Sequence, residues 1–417
     1  MRVITLVLAS AALGAGAIGA AVTMSPSAPS PASHQDWDRR PGPDSARVAS
    51  LLDALGRTDP LVCELIGDQI GNFWNGGDQL GVGRFAGVPA DLRAAKDSIG
   101  GYVSDPRAID RLVAELGAGN SCVRRVAAKM LGNSAITAAR MNALLGDASA
   151  TVREAAAYAA GNAELRETRG TLERALEDRE PAVAAMAAWA VGEIEDRESV
   201  APLLKVLRGS DRRVRLAAIW ALGQIEDARA VPDLVAILRD ADAGIRAMSA
   251  DVLGDIEDQA AVAPLERALA SDADARVRAE AARSLGELES SSSAAALGRA
   301  LSDADIVVRR AAAEALGNLD ELHTAPAGLT AALQSSDPEL RHHAASALSE
   351  IADPATTSAL VGLLTDADAA LRKQAAEALG EIGSPAAVAG LTRALEDRDP
   401  EVRRSAVEAL GEAKEKN

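Results

Sequence analysis

Chemistry in a chain of this length should show first in its histidines, cysteines and clustered charges. The 417 residues contain four histidines, His34, His323, His342 and His343. None is followed by glutamate, and only His342 and His343 are neighbours, so an acid, base and metal-ligand set brought together in one place is not visible. We expect these two histidines on a surface, as a weak metal site at most, and we expect no catalytic residues and no cofactor. The two cysteines, Cys63 and Cys122, are a possible disulfide. A full repeat between them would hold them too far apart to bridge, whereas a looped-out segment would let them meet.

Charge excludes some partners. The formal net charge is −17, and no long Lys/Arg run occurs, whereas nucleic acids and anionic lipids select basic surfaces. Protein or peptide partners remain, with neutral or basic ones favoured.

The most suggestive side chains lie in a row. Tyr158, Trp189 and Trp220 stand 31 residues apart, each at one position of a repeated segment. Elsewhere that position holds Lys129, Asp251, Arg283, Glu314, Ser346, Glu377 and Glu408. A position that accepts Glu, Asp and Arg reads as exposed. Three consecutive aromatics there, beside Met186, Leu216 and Met248, read as a contiguous apolar ridge of the kind that marks binding sites. Ordinary core filling is the competing reading.

The elements that position the row are repeats. The segments DPEVRRSAVEALGEA, DAALRKQAAEALGEI, DPELRHHAASALSEI and their predecessors open on Val123, Val152, Val183, Val214, Ile245, Val277, Val308, Leu340, Leu371 and Val402. The steps between them are 29, 31, 31, 31, 32, 31, 32, 31 and 31 residues. From each opening residue, apolar or small residues recur at offsets 4, 7, 8 and 11, one buried face of a helix. An aspartate three residues before (Asp211, Asp242, Asp274, Asp305, Asp337, Asp368 and Asp399) fits an N-cap, and Pro338 and Pro400 follow at the first helical position. A second amphipathic pattern, such as AVPDLVAILRD, separates these helices. The unit is therefore helix A, turn, helix B, turn, and neither helix can bury its face alone, so units must stack.

Two further ladders run through the copies. Arg215, Arg246, Arg278, Arg309, Arg341, Arg372 and Arg403, with Arg124 and Arg153 before them, follow the capping position. An anion track is one reading. Pairing with an aspartate of the same or the next repeat is the better one, and Ala184 should leave its repeat less tied. Glycine near the end of helix B, as at Gly161, Gly192 and Gly286, allows either close helix packing or a sharp exit, and Ser349 departs from that pattern.

The motif D-x-x-V-R-x-x-A-A-x-A-L-G-x-I followed by A-V-x-x-L-x-x-A-L resembles the HEAT repeat, specifically the short bacterial type of phycobilin lyases, over roughly 105–417. The resemblance implies an all-α, right-handed α-α superhelix (a HEAT/armadillo-like solenoid) of about 11 to 12 helix pairs, with B helices on the concave side. It does not fix function, because such folds host scaffolds, lyases and hydroxylases. The di-iron hydroxylases of the family would need His-Glu pairs, which are absent, and nothing supplies a tetrapyrrole context. The reading is a non-catalytic scaffold for a protein or peptide. An accessory lyase or metal-dependent enzyme and an envelope sensor or regulatory module are the alternatives.

Upstream, 1–23 reads as a secretory signal or an anchor and 24–46 as a Pro/Ser-rich tether. Residues 47–104 read as worn repeats with a Gly-rich insertion at 75–90. A periplasmic or secreted location follows, with oligomeric state open.

Overall fold

A computed structural model describes residues 42–57, 102–319 and 322–415. The expected signal, most of the expected tether, Cys63 and the insertion lie outside them. The tether ends sooner than expected: a helix spans Ser45–Gly56, capped by Asp44, which accepts the Arg47 N–H. The Ser45 N–H donates to Asp105, so residues 44–46 belong to the folded stack.

The described residues form helices throughout, with one isolated bridge between Val103 and Ser134. From Pro106 onward, A and B helices alternate. The A helices are Pro106–Glu115, Ala138–Leu145, Arg169–Ala175, Val200–Val206, Val231–Ile237, Val262–Ser271, Ala294–Ala300, Ala327–Ala332, Thr357–Leu363 and Pro385–Ala394. The B helices are Ser121–Gly132, Ala150–Asn162, Pro181–Ile194, Arg212–Ile225, Ala243–Asp255, Ala275–Glu287, Ile306–Gly317, Pro338–Ile351, Ala369–Ile382 and Pro400–Glu415. Helices as short as the A helices are not stable alone in water. They persist because residues such as Leu203, Leu234 and Leu265 are fully buried against their neighbours.

Each B helix buries the periodic face. In Pro181–Ile194 the buried set includes Val183, Ala187, Ala190, Val191 and Ile194. The aspartates cap as their position requires: Asp211 accepts the Arg213 and Val214 N–H groups, and Asp242 those of Gly244 and Ile245. The chain leaves most B helices through a left-handed residue, and this is not the ladder glycine. It lies three residues later, at Glu164, Glu195, Glu226, Glu257, Glu289, Ala352 and Gly383. Several A helices are then led by a short 3-10 turn whose first N–H groups are capped by Asp196, Asp227, Asp258 and Asp353.

The glycines serve the other purpose, close approach of successive B helices. A methyl placed on Gly286 would lie 2.8 Å from the Ala315 Cα, and one on Gly161 2.7 Å from the Ala190 Cα. Contacts that short place backbone against backbone along the B row.

Candidate functional site

The glycine ladder also explains where the aromatic row sits. A methyl on Gly161 would meet Trp189 Cζ3 at 2.8 Å, and one on Gly192 would meet Trp220 Cζ3 at 2.8 Å. Each indole therefore leans onto the bare backbone of the preceding B helix. Tyr158 stacks on Trp189, with ring centroids 5.2 Å apart and planes within 15°. Tyr158, Met186, Trp189, Leu216, Trp220 and Met248 are all half-buried and packed against the core. The freely exposed ridge expected from sequence is thus corrected: the rings are seated, with one edge toward the core and one toward solvent. The strongly exposed large apolar residues are elsewhere among the described residues, at Tyr102, Val307 and Val407.

Beyond Trp220 the row changes character. Its next member is Asp251, then Arg283 and Glu314. In these repeats carboxylates approach the glycine seats: Asp255 Oδ2 lies 3.4 Å from where a Gly223 methyl would be, and Glu412 Oε2 3.0 Å from that of Gly380. Partial dehydration between helices, then repulsion by Asp255 and Glu280, push the Asp251 carboxyl up to about 6, against the pull of Arg283. Because the residue's outer edge is open to solvent, the repulsion is the part a bound cation would relieve. Arg283 is itself ion-paired with Glu280. At the row's middle, dehydration followed by Glu164 and Glu195 raises Glu193.

The arginine ladder lies at the start of the B helices and is structural. Arg246 pairs bidentately with Asp272 at 2.8 and 2.8 Å, Arg278 with Asp303 at 2.8 and 2.8 Å, and Arg372 with Asp397 at 2.8 and 2.9 Å. Arg153 pairs with Asp178, and Arg215 with Asp240. The partner is never the capping aspartate of the same helix. For Arg215, Arg246, Arg278 and Arg372 it is the first aspartate of a D-x-D in the next repeat, whose second aspartate stands at that helix's N-cap, while for Arg153 it is Asp178 of an Asp-Arg-Glu in which Glu180 makes no cap bond. Each arginine also donates to carbonyls of its own A–B loop, as Arg246 does to Asp240 O at 2.7 Å. The ladder lapses at Ala184. It weakens at Arg309, which donates to the Asp303 and Ala304 carbonyls while Ser335 stands at the partner's place. Arg341 reaches Asp366 only at 4.0 Å, and Arg403 bonds the Asp397 carbonyl.

The histidines are less exposed than expected. His342 is half-buried, held between Asp368 at 3.1 Å and Gln374 at 3.2 Å in the next repeat. No group of three His, Cys, Asp or Glu among the described residues could hold a metal ion. No cysteine among them is free. No described helix is long and apolar enough to cross a membrane.

The sequence profile described as HEAT repeats matches residues 137–209, 200–286, 268–329 and 326–411. No curated protein gives a significant match. Among solved structures, the chain is similar to one in a complex of Kap95p with RanGDP, at 13% identity and a TM-score of 0.52, over 88% of this chain and 55% of that one. It thus spans about half the length of that protein, and the likeness concerns the fold. An engineered protein aligns at 24% identity and a TM-score of 0.45, over 88% of this chain and 99% of that one. Human deoxyhypusine hydroxylase aligns at 18% identity and a TM-score of 0.28, over 67% and 96%. Both superpose too loosely to carry an argument.

Proposed function

The chain belongs to the HEAT-repeat family, and we propose that it is a non-catalytic scaffold that grips a protein or peptide segment along the B-helix face. The site is the row Tyr158, Trp189 and Trp220 with Met186, Leu216 and Met248. The observation that carries this is the seating of the two indoles on Gly161 and Gly192. Seating holds large rings rigid with one edge available, and pre-ordered aromatic area is what interface hot spots use. The D-x-x-V-R motif favours the short bacterial phycobilin-lyase-like type within the family. Residues 1–23, read as a secretory signal or an anchor, support a periplasmic or secreted location, where Cys63–Cys122 is a possible disulfide.

The test is recovery of partners from the native cell envelope. Wild-type protein is compared with Trp189→Glu/Trp220→Glu and with Met186→Lys/Met248→Lys, each checked for an unchanged helical circular dichroism spectrum. A partner kept by wild type and lost from both variants supports the scaffold reading, and equal recovery by all three overturns it. Fractionation and N-terminal sequencing test the location, and intact mass before and after reduction tests the disulfide.

A further inference from the structure

We propose that the C-terminal end of the aromatic row recognises a cationic side chain of an otherwise apolar peptide, an arginine or lysine set against the Trp220 ring and the carboxylates of Asp251, Asp255 and Glu280. This rests on the reading of the B-helix face as a peptide groove and specifies what that groove takes.

Three observations carry the assignment. The first is position. Tyr158 stacks on Trp189, Trp220 follows one repeat on, and the next place in the row holds Asp251 rather than a fourth ring. An aromatic face followed by a carboxylate suits a guanidinium or ammonium group, which gains from the ring quadrupole and the anion together. The second is local charge. Asp251 is repelled by Asp255 on its own helix, Ala243–Asp255, and by Glu280 on the next B helix, Ala275–Glu287. Arg283 offsets them but is shared with Glu280, and the balance at Asp251 stays on the side of repulsion. Glu193, beside Trp189, is crowded by Glu164 and Glu195 in the same sense. The third is contrast with the rest of the molecule. Along the ladder, arginines neutralise aspartates one for one, as Arg246 does Asp272 and Arg278 does Asp303. The carboxylates that crowd Asp251 and Glu193 are not members of that ladder, and the chain's net charge of −17 would steer a cationic segment toward the row. Met186, Met248 and Leu216 beside the rings supply adaptable apolar contact for the residues flanking the cation.

The experiment is selection of random twelve-residue peptides displayed on phage against the full chain, followed by fluorescence anisotropy with the enriched peptides. Enrichment of arginine or lysine flanked by apolar residues is expected. An enriched peptide should bind roughly tenfold more weakly when its arginine is replaced by neutral citrulline. It should weaken comparably with the variant Asp251→Asn/Asp255→Asn, whose fold circular dichroism and melting temperature check, and should weaken as salt rises. Asp251→Asn alone, the milder change, should give a smaller loss in the same direction. Enrichment of purely apolar or acidic peptides, or citrulline and arginine peptides that bind alike, would overturn the cation assignment and leave the groove reading intact. Failure to enrich any peptide overturns both, as does equal binding to wild type and Trp189→Glu/Trp220→Glu.

Discussion

Above Gly161 and Gly192, in the helices of Tyr158 and Trp189, the space is filled by the indole ring of the following B helix. Around Gly223, at the end of the Trp220 helix, and Gly380 farther along, the carboxylates of Asp255 and Glu412 from the following helix approach the same space. The two regions share the period and the close approach of successive B helices, although the Tyr158 and Trp189 helices lack the side-chain cap that Asp211, Asp242 and Asp274 supply farther on. One tie between neighbouring repeats differs as well. Through Arg246, Arg278 and Arg372 the tie is a buried ion pair. At Ala184 that arginine is missing, and Gly209 stands where its aspartate would be. The lapse falls within the aromatic repeats. On either side of it the ties persist, through Arg153–Asp178 and Arg215–Asp240, so apolar seating stands in for one missing tie, and one solenoid frame carries a sticky segment and a solvated one.

The sharpest way to break this comparison is to remove a tie. Arg372 is the most buried ladder arginine, with 3% of its side chain exposed and 10% of that of Asp397. Arg372→Ala strands the Asp397 carboxylate and should cost about 3 kcal/mol, read as faster amide exchange across Ala369–Ile382. Acid should do the same more gradually. The hydrogen bond from Arg372 holds the Asp397 carboxyl below its ordinary value. Its stabilisation is therefore complete above the normal carboxylate range and lost as pH falls through the lowered pKa. If Arg372→Ala melts like wild type, ion pairs are not what joins the later repeats.

Next in size are the glycine seats. Gly192→Ala would press on the Trp220 ring and the Ala221 Cα at 2.8 and 2.9 Å. Overpacking of that kind should cost about 2 kcal/mol. Gly411 has open space around it, and Gly411→Ala should stabilise its helix by about 0.5 to 1 kcal/mol. Opposite shifts in melting temperature are expected from one chemical change, and equal shifts would show that the glycines are not seats.

The ring itself comes third. Trp220→Ala removes a half-buried side chain and should cost about 2 kcal/mol, roughly half the value for full burial. Glu377→Ala, at the same place in a later repeat and exposed, should stay within about 0.5 kcal/mol. Similar losses from both would dissolve the distinction between the regions.

Much of this was legible in the sequence because it is local. Period, caps and buried face follow from residues within a turn of each other, so Asp242 could be assigned as a cap before any coordinates. The ladder partner was not legible. Choosing Asp272 over Asp274 for Arg246 depends on how far one repeat is shifted along the next, and both aspartates look alike in a D-x-D. The exposure of the aromatic row was misjudged because Glu at Glu314 or Glu377 signals solvent at that Cβ. A tryptophan on an equivalent Cβ is long enough to reach the preceding backbone. The glycine ladder left close packing and sharp exit both open. Only geometry assigns the exit to Glu195 and Glu226, a residue type that carries no turn signal.

A pH measurement sharpens the boundary between the regions. Asp251 is pushed up to about 6, so in the folded protein it binds its proton more tightly than in the unfolded chain. The destabilisation this causes is absent below the ordinary carboxylate value, grows as pH rises through about 6 and is complete above it. Asp251→Asn should therefore raise the melting temperature at pH 8 and leave it unchanged at pH 4. A shift of equal size at both values would mean that charge crowding is not what singles out the end of the row.

The smallest effect concerns what the two regions share. Glu226 leaves its helix with φ 49°, whereas Gly383 does so with φ 63°. A left-handed conformation costs a side-chain-bearing residue about 1 to 2 kcal/mol, and glycine forfeits about 0.5 to 1 kcal/mol of chain entropy instead. Glu226→Gly should then stabilise the chain by about 0.5 kcal/mol, and Gly383→Ala should destabilise it by a similar amount. Glu195→Gly and Glu226→Gly, both in the aromatic repeats, should match Glu289→Gly in a later one, where φ is 50°, because the exit geometry is common to all three. A larger gain at Glu195 would show that crowding with Glu193 adds to the backbone strain, tying the exit to the acidic character of the groove rather than to the frame alone.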